Sequence, residues 1–360
     1  VAKGDKVLAG QLIAEAASFM SANIHAPVSG TVTAVDLQPN GQGVRQMMIT
    51  IKREGDEWVP EVDLTPDLVR ECTLEPKEIL DRIKAAGIVG MGGATFPTHV
   101  KLSVPPGKKA EFLIINGVEC EPYLTSDHRT MLEKGEELMV GTTILMRALG
   151  VKQAQIGIEN NKPEAIKKLK ELVKDEPRIE VCELLTKYPQ GGERTLIYAV
   201  TGREINSSML PADAGCIVDN IDTVASIYNA VCKTTPLIRK IITVTGDAIA
   251  EPQNFEVRLG TNYQRLVEAA GGFKQEPEKM ISGGPMMGQA LFSLDIPVMK
   301  NSSALTCFTK DQVAANPESP CIRCGRCIEV CPGHVVPQMM MAAAERNDLA
   351  LFEKLNGMEC

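Results

Sequence analysis

Four cysteines fall within eleven residues toward the end of this 360-residue chain: Cys321, Cys324, Cys327 and Cys331, the last followed by Pro332. Gaps of two residues let three thiolates wrap one face of an iron–sulfur cube, while the amides between them can bond its sulfides. Structural zinc favours two separated pairs, which this run is not, and disulfides would remove the thiolates that a cluster needs. In such a run the fourth cysteine serves a second cluster. Cys321, Cys324 and Cys327 therefore need a fourth thiolate from elsewhere, and Cys360, 29 residues after Cys331, is placed to open a second run. The start at Val1 and the end on Cys360 read as those of a fragment, with the remaining ligands expected beyond residue 360. The other cysteines, at 72, 120, 182, 216, 232 and 307, stand singly, as small buried hydrophobes do.

A chain this long exceeds what one core organises, at roughly 150 residues per domain, so two or three domains are expected. With 44% hydrophobic and 23% charged residues it is globular in composition, neither disordered nor membrane-embedded. Thirty-eight Lys+Arg against forty-six Asp+Glu give a net charge of -8, without a concentrated basic run, so no nucleic-acid partner is expected. The longest apolar stretch, 138–149, falls short of the roughly 20 residues of a membrane helix and is broken by Arg147. No direct membrane span is expected.

Along the chain the grammar changes several times, predicting a multidomain α/β protein. Residues 1–52 read as short strands and turns punctuated by Gly4, Gly10, Pro27 and Gly30. They resemble a barrel-sandwich hybrid of the biotinyl/lipoyl type. Such carriers modify a lysine at a hairpin tip, where this chain has Phe19 and Met20, so a structural or docking role is expected. Residues 53–75 read as a connector. Over 76–238, helical and apolar β segments alternate: a helix from Pro76, a strand at 111–115, a helix at 131–149, a strand at 154–158, a helix at 163–173 and a strand at 179–185. That alternation predicts a layered α/β core with a largely parallel sheet. Residues 239–295 resemble a soluble-ligand-binding β-grasp domain, 296–316 a second connector. Residues 317–360 read as a helical ferredoxin-like module carrying two 4Fe-4S clusters, with a helix near 336–347.

The segment Gly87-Ile-Val-Gly90-Met-Gly92-Gly93-Ala-Thr95-Phe96 places four glycines in seven residues, with Lys101 close behind. Such a loop can bring its amides close to phosphate. It follows a helix, not a strand, so it is no ordinary dinucleotide fingerprint, and the Gly-Lys-Ser/Thr of a Walker motif is missing. The loop alone fits a phosphate cradle or a tight turn equally. Its company favours the cradle: Asn116, Glu119 and Glu121 follow a strand, where open α/β sheets bind ligands, and Gly191-Gly192-Glu193 makes a second glycine turn at a helix start. Carboxylates beside a phosphate make sense if they bond ribose hydroxyls or a ring edge while amides hold the phosphate. His25, His99, His128 and His334 are scattered and read as structural or surface residues.

In order, the Gly90–Thr98 loop, Asn116 with Glu119 and Glu121, the Gly191 turn, and Val218-Asp219-Asn220-Ile221-Asp222-Thr223 resemble the NADH-binding flavoprotein subunit of respiratory complex I. With the barrel-like start, the β-grasp unit and the cysteine run, the whole chain resembles the C subunits of Rnf ion-translocating electron-transport complexes. The resemblance implies a non-covalent FMN on Gly90, Gly92 and Gly93, lined by Asn116, Glu119, Gly191, Gly192, Asp219, Asn220 and Thr223. NAD(H) would stack near Phe96, with Lys101, Glu121 and Glu193 as further contacts. Thr95 stands where the complex I loop has glycine, Gly117-Val118 where it has an Ala-Asp pair, and Asp219 where it has asparagine. The implied activity is ferredoxin:NAD+ oxidoreduction, with no side chain as nucleophile or base. Hydride carries two electrons and a cube passes one, so a flavin must convert between them. The implied partners are an iron–sulfur subunit, membrane subunits and, indirectly, ferredoxin, at the cytoplasmic face of a bacterial membrane. Two alternatives stay open. A cobalamin-reductase subunit of a metabolic microcompartment would carry its barrel after the flavin domain, and a docking subunit that had lost flavin would lack flavin absorbance.

Overall fold

The computed structural model describes residues 1–41 and 43–360. At the start, β1 (Lys6–Val7) pairs antiparallel with β4 (Gly30–Pro39), which pairs with β5 (Arg45–Arg53); β2 (Leu12–Ala14) pairs with β3 (Ile24–His25). These two small sheets close on Val7, Ile13, Ala26 and Val32. The tip between β2 and β3 is a docking element. Asn23 Nδ2 donates to Ala85 O at 3.1 Å, and His99 Nε2 lies 3.2 Å from Phe19 O. Lys300 Nζ donates to both Asn23 O (2.7 Å) and Gly87 O (2.6 Å), tying the barrel to the next domain.

The second unit opens with α1 (Pro76–Ala85), whose buried Ile79 and Ile83 face the core, and α2 (Thr98–Leu102). Then come β6 (Phe112–Gly117), α3 (Ser126–Glu133), α4 (Gly135–Leu149), β7 (Ala154–Glu159), α5 (Pro163–Leu172) and β8 (Ile179–Leu184). After these follow α6 (Glu193–Thr201), β9 (Cys216–Asn220) and α7 (Ile221–Cys232). The sheet is parallel throughout, in the order β8-β7-β6-β9. Leu113, Ile114 and Ile115 of β6 are all fully buried, alternating between two cores, as a strand covered on both faces requires. The single helix expected at 131–149 is two. Lys134 ends α3 by donating its amide to Thr130 O and starts α4 by accepting from Leu138 N, while its ammonium reaches Glu256 at 3.1 Å.

A third unit is a mixed sheet on one helix: β10 (Arg239–Thr245), β11 (Gln253–Arg258), α8 (Tyr263–Ala269), β12 (Lys279–Ser282), β13 (Gln289–Ala290) and β14 (Ala304–Phe308), ordered β11-β10-β14-β12-β13. Here the structure differs from the expected connector at 296–316, because β14 lies inside this sheet, parallel to β10 and antiparallel to β12. A five-residue strand, Ala-Leu-Thr-Cys-Phe, has too little period to declare itself, and the strand beside it, β10, lies about sixty residues earlier. The chain ends in α9 (Gln312–Ala315), α10 (Arg326–Glu329), α11 (Pro337–Glu345) and α12 (Leu349–Lys354). No helix among the described residues is long and apolar enough to cross a membrane.

Candidate functional site

In the parallel sheet the chain runs outward from β6 to β7 and β8, then returns to place β9 on the other flank of β6. That reversal is a topological switch point, and ligands bind at the carboxyl ends of the strands that flank one. Asn116 and Asn220, in register across the two strands, mark those ends.

Asn220 organises one wall. Its Oδ1 accepts from Asp222 N (2.9 Å) and Thr223 N (3.3 Å), capping α7, and its Nδ2 donates to Asp127 Oδ2 at 2.7 Å. The glycine loop hangs on the same helix head: Met91 N donates to Thr223 Oγ1 at 3.0 Å. Gly92 rests on Asn220, where a Cβ would sit 3.1 Å from that side chain, and the Cβ direction of Gly93 is open to 4 Å. Gly90 N donates to Phe96 O at 2.8 Å, closing the loop. Phe96 is half-buried beside it. Thr95 holds φ +56, a left-handed conformation that threonine adopts only under constraint.

Asn116 organises the other wall. Its Nδ2 donates to Gly191 O at 2.9 Å and its Oδ1 accepts from Val118 N at 3.0 Å. The Gly191-Gly192 turn thus sits directly on the end of β6, so close that a Cβ at Gly191 would collide with Val118 O. From this turn α6 begins with the exposed Glu193. Lys101 lies between Glu193 (3.9 Å) and Asp219 (3.8 Å) and donates to Val218 O at 2.8 Å. The Asp219 side chain is fully buried, and neither of its oxygens has a hydrogen-bond partner. Burial pushes its carboxyl up to about 6; Lys101 pulls it down and Glu193 pushes it up.

Two expected contacts are engaged elsewhere. Glu119 accepts from Asp127 N (2.9 Å), His128 N (3.2 Å) and Ser126 Oγ (3.2 Å), which makes it the cap of α3, and burial pushes its carboxyl up. Glu121 accepts from Met286 N at 2.8 Å and Met287 N at 3.3 Å, tying the third unit to the end of β6. Asp127 is a site residue that sequence reasoning missed. Burial, with Glu119 and Asp222 nearby, pushes its carboxyl well up, and no motif marks Ser126-Asp127-His128.

Cys321, Cys324, Cys327 and Cys360 are exposed, Cys331 is half-buried, and none forms a disulfide. Arg323 (φ +57) and Gly325 (φ +77) are left-handed, so the chain curls between successive thiols. Free thiols on a curled backbone suit iron in chemistry. As placed, no three His, Cys, Asp or Glu side chains among the described residues stand close enough to hold a metal ion. Beside Cys360, Glu359 docks on the flank of α6, accepting from Arg194 Nη1 (3.3 Å) and Ser207 N (3.2 Å).

Residues 83–229 match the family model of the Nuo51 FMN-binding domain, 1–56 that of the RnfC barrel sandwich hybrid domain, and 241–290 that of the SLBB domain. The C subunit of the proton-translocating ferredoxin:NAD(+) oxidoreductase complex of Clostridium ljungdahlii is 47% identical over 348 residues, 96% of this chain and 75% of that one. This chain belongs to the family of C subunits of ion-translocating ferredoxin:NAD(+) oxidoreductase complexes. Another member, from the Na(+)-translocating complex of Acetobacterium woodii, is 44% identical over 363 residues, 100% of this chain and 81% of that one. The fold of this C subunit also appears in an NAD+-reducing [NiFe]-hydrogenase in its H2-reduced state. That likeness has a TM-score of 0.58 at 23% identity and covers 67% of this chain and 48% of that one.

Proposed function

We propose that this C subunit exchanges electrons between NAD(H) and 4Fe-4S clusters through a bound FMN, as the peripheral nucleotide-handling member of a membrane ion-translocating complex. The observation that carries the reading is the glycine loop tied to the head of α7 at the switch point, inside the span that matches an FMN-binding domain. The pocket residues suit the group. Gly92 and Gly93 leave backbone open where side chains would intrude, the head of a twelve-residue helix favours an anion, and Lys101 offers a cation in front of a buried carboxylate that has no hydrogen-bond donor.

Gly90, Gly92, Gly93, Asn220 and Thr223 would hold one side of FMN, and Asn116, Gly191 and Gly192 the other. Bound there, FMN would supply the conversion between two-electron hydride exchange and single-electron steps. Phe96 would offer a face for NAD(H), with Glu193 within reach and with Lys101 shared between that nucleotide and the flavin phosphate. Glu119 and Glu121 act by fixing α3 and the 283–288 loop around the pocket. Cys321, Cys324 and Cys327 would ligate one cluster, and Cys331 with Cys360 a second. The Glu359 contact with Arg194 and Ser207 supports a short path from that second cluster to the flavin wall. An iron–sulfur subunit and membrane subunits, with ferredoxin behind them, are the proposed partners, at the cytoplasmic face of the bacterial membrane.

Anaerobic reconstitution with FMN, iron and sulfide, followed by NADH titration, tests this. Flavin and cluster absorbance should bleach together, and cluster bleaching should vanish when FMN is omitted. A protein that takes up no flavin would sink the reading and favour a docking subunit.

A further inference from the structure

Asp219 is an anomaly among the buried carboxylates. Its side chain is fully buried at the end of β9, both oxygens lack hydrogen-bond partners, and its nearest cation, Lys101, stands at 3.8 Å while donating to Val218 O instead. The charged groups that face it are Lys101, from α2, and Glu193, from the head of α6; β6 sets the uncharged Ile115 opposite it. An ionised carboxylate with no donor is expensive to bury, and one partial ion pair offsets the expense only while the cation stays in place. Lys101 itself is a quarter exposed, so a ligand arriving from solvent can reach its ammonium while Asp219 stays buried behind it.

We propose that Asp219 is a positioning residue that takes up a proton when a flavin nucleotide binds: the phosphate draws Lys101 away, and the stranded carboxylate is neutralised from solvent. No covalent bond changes. One proton moves from water to a carboxylate oxygen, and the ammonium passes from one anion to another. The site thereby avoids presenting a buried negative charge to an anionic ligand. Burial already pushes the Asp219 carboxyl up to about 6, so loss of Lys101 has only a short way to carry it past neutrality.

The inference rests on the FMN reading, and calorimetry separates the two. Flavin-free full chain is titrated with FMN at pH 7 in two buffers of different ionisation enthalpy, which counts protons exchanged on binding. Wild type should take up roughly half a proton or more beyond the count for Asp219→Asn, which keeps the shape and cannot titrate. Proton exchange by the FMN phosphate is common to both proteins and cancels. Riboflavin, which lacks the phosphate, should show no difference between them. Lys101→Met, in which Asp219 is neutral beforehand, should lose the extra uptake and serves where Asp219→Asn does not fold. Equal counts in wild type and Asp219→Asn, an unchanged count in Lys101→Met, or the same difference with riboflavin would overturn the proposal. Absence of FMN binding to wild type would overturn the flavin reading and this one together.

Discussion

Gly92 shows how far one missing Cβ reaches. Its neighbour is the Asn220 side chain, which at once caps α7 and holds Asp127, so a bulky residue at 92 pushes on three elements together. Gly92→Leu should release FMN, lowering its affinity by about tenfold or more, the equivalent of at least 1.4 kcal/mol. Flavin content after gel filtration checks this, with iron content of the cysteine module expected to stay unchanged. The polar residues that follow one another from Asn116 to Glu121 give the opposite lesson. Asn116, Glu119 and Glu121 stand close in sequence and look like one constellation, yet Asn116 binds the Gly191 turn, Glu119 caps α3, and Glu121 holds the 283–288 loop. A carboxylate's role depends on which amides reach it, and those amides come from as far away as Met286.

At the level of elements, the α/β alternation was legible because α1 and α5 carry their own period and start signal. Pro76 and Pro163 stand at first positions, and the buried stripes Ile79 with Ile83 and Ala165 with Ile166 and Leu169 recur at helical spacing. The break at Lys134 and the strand β14 were not legible. At the first the chain passes from one helix to the next within Lys134 itself, with no proline or capping side chain to mark it, and the second depends on two strands that frame it. The head of α7 is where an element and the site meet. Asn220→Ala should cost about 1 kcal/mol of stability through the lost cap and should weaken FMN binding as well. Asn220→Ser, which can restore the cap but not the amide to Asp127, should recover most of the melting temperature without recovering the flavin. Flavin retained at the wild-type level in Asn220→Ser would argue that Asn220 serves only the helix.

Across the whole molecule, Lys300 helps to join the units, since one ammonium satisfies carbonyls of the barrel tip and of the α1 terminus. Lys300→Met would strand both acceptors, at roughly 1–3 kcal/mol, and should expose the connector at 53–75 to limited proteolysis under conditions where wild type resists. His25, buried in the barrel, adds a pH limit. Burial first, then the charge of Lys300, lowers it from 6.5 to about 4, so between those values the folded chain binds fewer protons than the unfolded one. Stability is therefore present above about 6.5 and is lost as pH falls toward 4. His25→Leu should show a smaller drop in melting temperature across that window than wild type; an identical drop would assign the acid sensitivity to carboxylates. By itself the sequence determined the cysteine run, the glycine loop, the layered alternation and the family they suggest, because all of these are written in the spacing of near neighbours. Only the tertiary structure decided that Glu119 and Glu121 hold the frame, that Lys101 stands before a buried Asp219, and that Lys300 clasps two domains. The contacts of Glu121, Lys101 and Lys300 join residues more than a hundred positions apart, and the Glu119 cap depends on how the chain turns back into α3, so no local pattern records these meetings.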